Sequence, residues 1–304
     1  MESKQLSNND ISGDIFSSKL FADPRYEKMN ISFDRLSFDF KNDCWMFFEH
    51  ILVQKEVSNL NELDIKTQEK IRNIVEFSDH FMQISKKKTQ VIIDLYFDKN
   101  SLLKDSILLM DENFNFHKLK ISEFGSVFRE LNFNGSKNNI NKPYIPKNVK
   151  NYQRNDNSAF ELSKVCLNGD VTYGFNLDKL FFNQKTKEIY LFELLLCEET
   201  QTVTPHTSHP NRYFSKNKSK FISLFNIAKE MKTNLYLINY AKENTTHENK
   251  VKFMRVIDLR ENDLKTPLLT DDKNMNFVTL KNGVDKKMLP EEDKKLKIGI
   301  KANY

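Results

Sequence analysis

The stretch GFNLDKLFFNQKTKEIYLFELLL, residues 174–196, decides how the chain is read. Two apolar runs flank a polar NQKTK, the pattern of two strands joined by a tight turn. With the turn centred between Lys185 and Thr186, through either a two-residue or a four-residue loop, Phe182 faces Ile189, Leu180 faces Leu191 and Asp178 faces Glu193. Directly opposed Cβ atoms lie about 4.5–5.5 Å apart, so the two acids become neighbours. Side chains alternate along a strand, which puts Leu180, Phe182, Ile189 and Leu191 on the face of the acids and Leu177, Phe181, Tyr190, Phe192 and Leu194 on the other. Both faces are apolar, as in a central strand pair covered on both sides. Like charges opposed there repel each other and lose hydration, so something must compensate them. A divalent cation shared by the carboxylates would do so, and so would a neighbouring lysine or a raised pKa.

The rest of the chain can bury such a pair. Its 304 residues suffice for one large domain or two smaller ones, and 39% hydrophobic with 29% charged residues argues against a disordered chain. No apolar run approaches the roughly 20 residues that cross a bilayer. The start, MESKQLSNNDISGD, lacks the basic-then-apolar order of a secretory signal and reads as a polar leader, so a cytoplasmic location is expected. Cys44, Cys166 and Cys197 are odd in number, far apart and without CxxC spacing, against a disulfide framework or a zinc site. The net charge of +5 is compatible with a polyanionic partner without requiring one.

No internal repeat stands out. Residues 31–40 alternate like a strand, and 44–53 are apolar enough for core in a helix or a strand. Residues 59–84 have helical spacing and predict an amphipathic helix pair, 91–97 a buried strand, and 121–131 a helix. From 132 to 157 the composition turns to Asn and Lys with two prolines, a linker or a long surface loop. Beyond it follow a short helix, SAFELSKVCL, then the hairpin, a loop over 198–214, a helix over 215–231 with Ser215 as N-cap, and strands at 235–240 and 250–259. The order predicts an α/β or α+β fold with a mixed central sheet flanked by helices. It divides as an N-terminal region over 1–131, the linker over 132–157 and a core over 158–304.

An Asp followed, after a turn, by an apolar strand ending in Glu, then a helix and further strands, resembles the PD-(D/E)xK nuclease superfamily of restriction endonucleases and repair nucleases. The resemblance covers about residues 158–259. It implies a restriction-endonuclease-like core, Asp178 and Glu193 as ligands of Mg²⁺ (or Mn²⁺), and Glu161 as a further acid on the preceding helix. It also implies hydrolysis of DNA phosphodiesters and is compatible with a type II restriction enzyme, with the N-terminal half serving recognition or dimerisation and a two-fold homodimer suited to double-strand cutting. The chain departs from the motif twice: Leu177 stands for its proline, and Leu195 stands where the family has its lysine, two residues past Glu193. A lysine from elsewhere, metal activation alone, or a catalytically dead fold that still binds nucleic acid or assembles with a partner would each be consistent with that.

The segment RYFSKNKSKF supplies candidates for the displaced base. Arg212, Lys216, Lys218 and Lys220 gather where the helix is expected to begin, unfavourably for the helix dipole but favourably for a phosphate. They are the expected nucleic-acid contacts, and Lys218 or Lys220 the expected substitute catalytic lysine. His206 and His209, with Glu198 and Glu199, could form a metal site or supply a base, although polar loop histidines are more often bystanders. Cys197 has no ordered His or Asn partner in the sequence and is expected to be a small buried residue.

Overall fold

Residues 30–39, 42–97, 101–134, 162, 165–166, 175–197, 203–242, 245–247, 250–260, 268–271 and 278–279 are described by the structure, a computed structural model of mixed α/β type. The chain divides into two compact units at Leu177/Asp178, within strand β6. Residues 135–157, most of the expected linker, lie outside the described residues, as does most of the short helix expected after it, of which Leu162, Val165 and Cys166 are helical.

In the first unit, β1 (Asn30–Asp39) and β2 (Cys44–Val53) form an antiparallel hairpin, and helix α1 (Ile65–Ser85) crosses over to β3 (Lys88–Phe97), parallel to β2. Strands β4 (Ser106–Met110) and β5 (Phe116–Lys120) continue antiparallel, and α2 (Ile121–Asn134) follows. Where the sequence predicts a helix pair over 59–84, there is a single 3-10 turn, Leu60–Glu62, and one long helix. Asp64 caps that helix by accepting the Thr67 N–H at 3.0 Å and its hydroxyl at 2.6 Å. Asp64→Ala is expected to cost about 1 kcal/mol, read as a lower urea midpoint at unchanged m. The helix buries Ile71, Ile74, Phe77 and Phe81, and Phe77 and Phe81 meet Phe33, Trp45 and Phe47 from the first two strands. A separate cluster joins Met46 and Phe48 to Ile92, Ile107, Phe124 and Phe128, so β2 is covered on both faces.

The second unit takes up β6 (Phe175–Phe182) from Asp178 onward and pairs it with β7 (Ile189–Cys197) as an antiparallel hairpin, then helix α3 (Asn211–Glu230), then β8 (Leu235–Ala241) parallel to β7. Antiparallel β9 (Lys250–Leu259) pairs with β8, and β10 (Leu268–Asp271) and β11 (Val278–Thr279) pair with β9. The hairpin register is the one the sequence predicts: Phe182 opposes Ile189 and Leu180 opposes Leu191, and both faces are buried. Its loop is the four-residue alternative, since the Asn183 N–H donates to the Glu188 carbonyl at 2.9 Å. Asn183 Oδ1 accepts the N–H groups of Lys185 and Thr186, and Lys187 takes the left-handed conformation that closes the turn.

The two units share one plan, contrary to the absence of an evident repeat in the sequence. Adding 144 to each number of the first hairpin ladder gives the second: Arg35↔Phe48 becomes Lys179↔Phe192. The same shift turns the parallel pair Glu49↔Ile93 into Glu193↔Leu237, and Leu95↔Leu108 falls in step with Asn239↔Lys252. Even the turns correspond. Asp39 Oδ1 accepts the Asn42 N–H as Asn183 accepts that of Thr186, and Asp43 is left-handed where Lys187 is. Among the described residues no helix is long and apolar enough to cross a membrane.

Candidate functional site

Strands β6 and β7 carry Asp178 and Glu193 one step beyond the ladder pair Lys179↔Phe192. There the Asp178 side chain bridges the strands, Oδ2 accepting the Leu194 N–H at 3.0 Å. From α3, Lys220 reaches both acids: its Nζ lies 3.3 Å from Asp178 Oδ1 and 2.5 Å from Glu193 Oε1. The side chains of Asp178 and Lys220 remain 19% and 17% exposed against 5% for Glu193, so water and solutes reach the first two. Glu193 Oε2 is buried and receives no hydrogen bond among the described residues.

The charges follow from this geometry. Burial pushes the Glu193 carboxyl well above the usual range, repulsion from Asp178 adds to it, and Lys220 only partly offsets the two. Asp178 is held below its usual value: burial works against it, but the Lys220 charge, a hydrogen bond from Glu193 and the Leu194 N–H outweigh burial. Lys220 is raised, its own burial being overcome by the two carboxylates. The two carboxyls are therefore pushed apart, Glu193 toward its neutral form and Asp178 toward its ionised one, with the Lys220 ammonium across both. Of the three compensations open to the acid pair, the lysine and the raised pKa are both present.

Helix α3 begins at Asn211, a turn before the expected Ser215 N-cap. Pro210 precedes it without a side-chain cap, and His209 Nδ1 accepts the Asn211 N–H at 3.2 Å, which gives that histidine a structural task. Asn239 ties the preceding loop to β8 by donating to the Ser208 carbonyl at 2.8 Å. Lys220 is therefore well inside the helix, and the dipole argument for an anion at the helix start does not reach it. Arg212 and Lys218 are exposed, and of Lys216 only the backbone is described. Leu195, at the motif's lysine position, is buried. His206 is half-buried and Cys197 is a buried free thiol. Glu161, Glu198 and Glu199 lie outside the described residues. Among the described residues no cluster of three or more His, Cys, Asp or Glu could hold a metal ion.

A second constellation went unread in the sequence: Asp34 on β1, Glu49 on β2 and Lys70 on α1. The signal was available, because FDRLSF and FFEHIL stand to each other as LDKLFF and LFELLL do. Asp34 Oδ2 accepts the His50 N–H at 2.8 Å, and Lys70 Nζ bonds Glu49 Oε1. Burial and then repulsion from Asp34 push the Glu49 carboxyl up to about 7. Beside it His50 is bonded to the buried Asp94 at 2.6 Å; burial disfavours the imidazolium, but the charges of Asp94, Asp34 and Glu49 together with that bond raise it to about 9. Comparison with protein-family models, with curated proteins and with solved structures finds no match to this chain.

Proposed function

We propose that the second unit is a restriction-endonuclease-like, metal-dependent nuclease that hydrolyses phosphodiester bonds of DNA, with Asp178 and Glu193 as holders of Mg²⁺ or Mn²⁺ and Lys220 as the substitute for the missing motif lysine. The observation that carries this reading is a lysine reaching two adjacent carboxylates from the helix after the Glu strand, beside a buried Glu193 Oε2 that no donor among the described residues satisfies. The donors fit the ion, since Mg²⁺ prefers one or two carboxylates and retains positions for water and phosphate oxygens. When bound, the ion would acidify a coordinated water and offset charge on the phosphoryl oxygens. Asp178 is fixed for its part by the Leu194 N–H, which orients the carboxylate before any ligand arrives. Lys220 can donate to a phosphate oxygen or hold the attacking water once an ion takes over the carboxylates.

The test is incubation of supercoiled, linear and single-stranded DNA with Mg²⁺ or Mn²⁺ and an EDTA control. Cleavage that EDTA abolishes is the expected result. A second reading, a nucleic-acid-binding or assembly protein that keeps the fold without catalysis, is favoured by Leu195 and by the ammonium already neutralising the acids. Salt-sensitive DNA binding without cleavage would establish it in place of the first.

Binding should also depend on pH. Because burial and Asp178 raise the Glu193 carboxyl, a proton competes there with an ion, so Mn²⁺ affinity is expected to rise with pH above the ordinary carboxylate range. A flat profile by titration calorimetry would contradict the assignment of Glu193 as a ligand.

A further inference from the structure

The first unit repeats the site as well as the fold. Asp34 and Asp178 occupy equivalent positions of their first strands, Glu49 and Glu193 of their second, by the shift that maps one ladder onto the other. Each Asp uses Oδ2 to accept the N–H of the residue after the Glu, at 2.8 Å from His50 and 3.0 Å from Leu194. Each Glu gives Oε1 to a helical lysine and leaves a buried Oε2 with no hydrogen bond among the described residues. Each has an aliphatic residue, Ile51 or Leu195, two positions past the Glu. The lysines are not at equivalent positions: the shift of 144 takes Lys70 to 214, six residues before Lys220, so each helix supplies its lysine from a different place.

Packing does not account for this recurrence. A buried ion pair seldom stabilises a fold more than apolar side chains of similar volume, so the core of each unit had a cheaper alternative at these positions. Neighbouring positions differ: His50 and Asp94, paired across β2 and β3, stand where the second unit has Leu194 and Ile238. The two acids, a helical lysine on the Glu Oε1 and the unsatisfied Oε2 recur, although Lys220 also reaches Asp178 whereas Lys70 bonds Glu49.

We propose that Asp34, Glu49 and Lys70 form a second divalent-cation site for phosphodiester hydrolysis, so that a single chain carries two. This rests on the reading of Asp178, Glu193 and Lys220 given above, and it assigns chemistry to the half that the family resemblance leaves to recognition or dimerisation. At each site the oxygen of water bonds to phosphorus and one P–O ester bond breaks. The departing oxygen takes one of the water's protons to become a hydroxyl, the other proton passes to solvent, and a phosphate monoester remains.

Two measurements on the full chain test it. In titration with Mn²⁺ alone, the number of ions bound is expected to halve in Asp34→Asn and in Asp178→Asn and to vanish in the double variant. Glu49→Gln, which keeps an oxygen for Lys70, serves as a second first-unit variant, and circular dichroism verifies the fold of each. On supercoiled plasmid, the wild type is expected to give linear product and each single-site variant to stop at the nicked circle. If Asp34→Asn and Glu49→Gln bind as many ions and linearise as fast as the wild type, while Asp178→Asn loses both properties, the second site is wrong and the first stands. Loss confined to the first-unit variants would leave Asp34, Glu49 and Lys70 as the working site and remove Asp178 and Glu193 from that role, and a wild type that binds no Mn²⁺ overturns both.

Discussion

Asp178→Asn is expected to lower the rate of linear product from plasmid by on the order of 10³-fold, with the protein still folded. The amide keeps an oxygen that can accept the Leu194 N–H, so the bridge between β6 and β7 survives. What it loses is the charge. Asp178 is the acid of the pair held ionised, whereas Glu193 is the one driven toward its neutral form, so most of the resting negative charge goes with this substitution. With that repulsion gone Glu193 should ionise more readily, and the loss of activity would then trace to the ligand and not to a second protonation. Measurement of plasmid products over a Mn²⁺ series separates the cases: a rate restored by high Mn²⁺ indicates weakened binding, and a rate that stays low indicates lost chemistry. An unchanged rate would exclude Asp178 from the site.

Lys220→Met is the other change with a large expected effect, here on stability. Removing one partner of a buried charge cluster costs about 3–5 kcal/mol, because the remaining charges lose both solvent and counterion. The lower end is expected, since Glu193 can keep its proton and leave a single carboxylate. The sign with pH follows. Glu193 has a folded pKa above its unfolded one, so the native state holds more protons above the unfolded value, and stability falls as pH rises from there through the folded pKa. Without Lys220 the folded pKa rises further and that fall should extend to higher pH, and saturating Mg²⁺ should reverse part of it by binding only the folded form. Urea unfolding at several pH values, with and without Mg²⁺, reads both effects.

The hairpin was legible because its faces and its turn constrain each other: the faces exclude any one-residue slip, the turn selects among the rest, and the register so fixed brings the acids opposite each other. The sequence offers Lys218 and Lys220 equally, because its cap signal places the helix start at Ser215. A Pro–Asn start that draws its cap from a histidine ring lacks the usual Ser, Thr or Asp signal. Strands β4 and β5 were missed for a different reason: β5 exposes His117 and Lys118, and little apolar alternation remains to be read. The repeat is hidden because the equivalent core positions hold different side chains. Trp45 stands against Ile189 and Phe47 against Leu191, exchanges that conserve burial and erase resemblance.

The four-residue turn from Gln184 to Lys187 acts as a spacer whose length sets the chemistry. One residue added there would slip β7 by a single step, and because successive side chains point to opposite sides, Glu193 would swing away from Lys220 while Leu194 or Phe192 took its place. Insertions and deletions in that turn should consequently be far more damaging than any substitution at its exposed tip, an asymmetry that a saturation library of the loop would display directly.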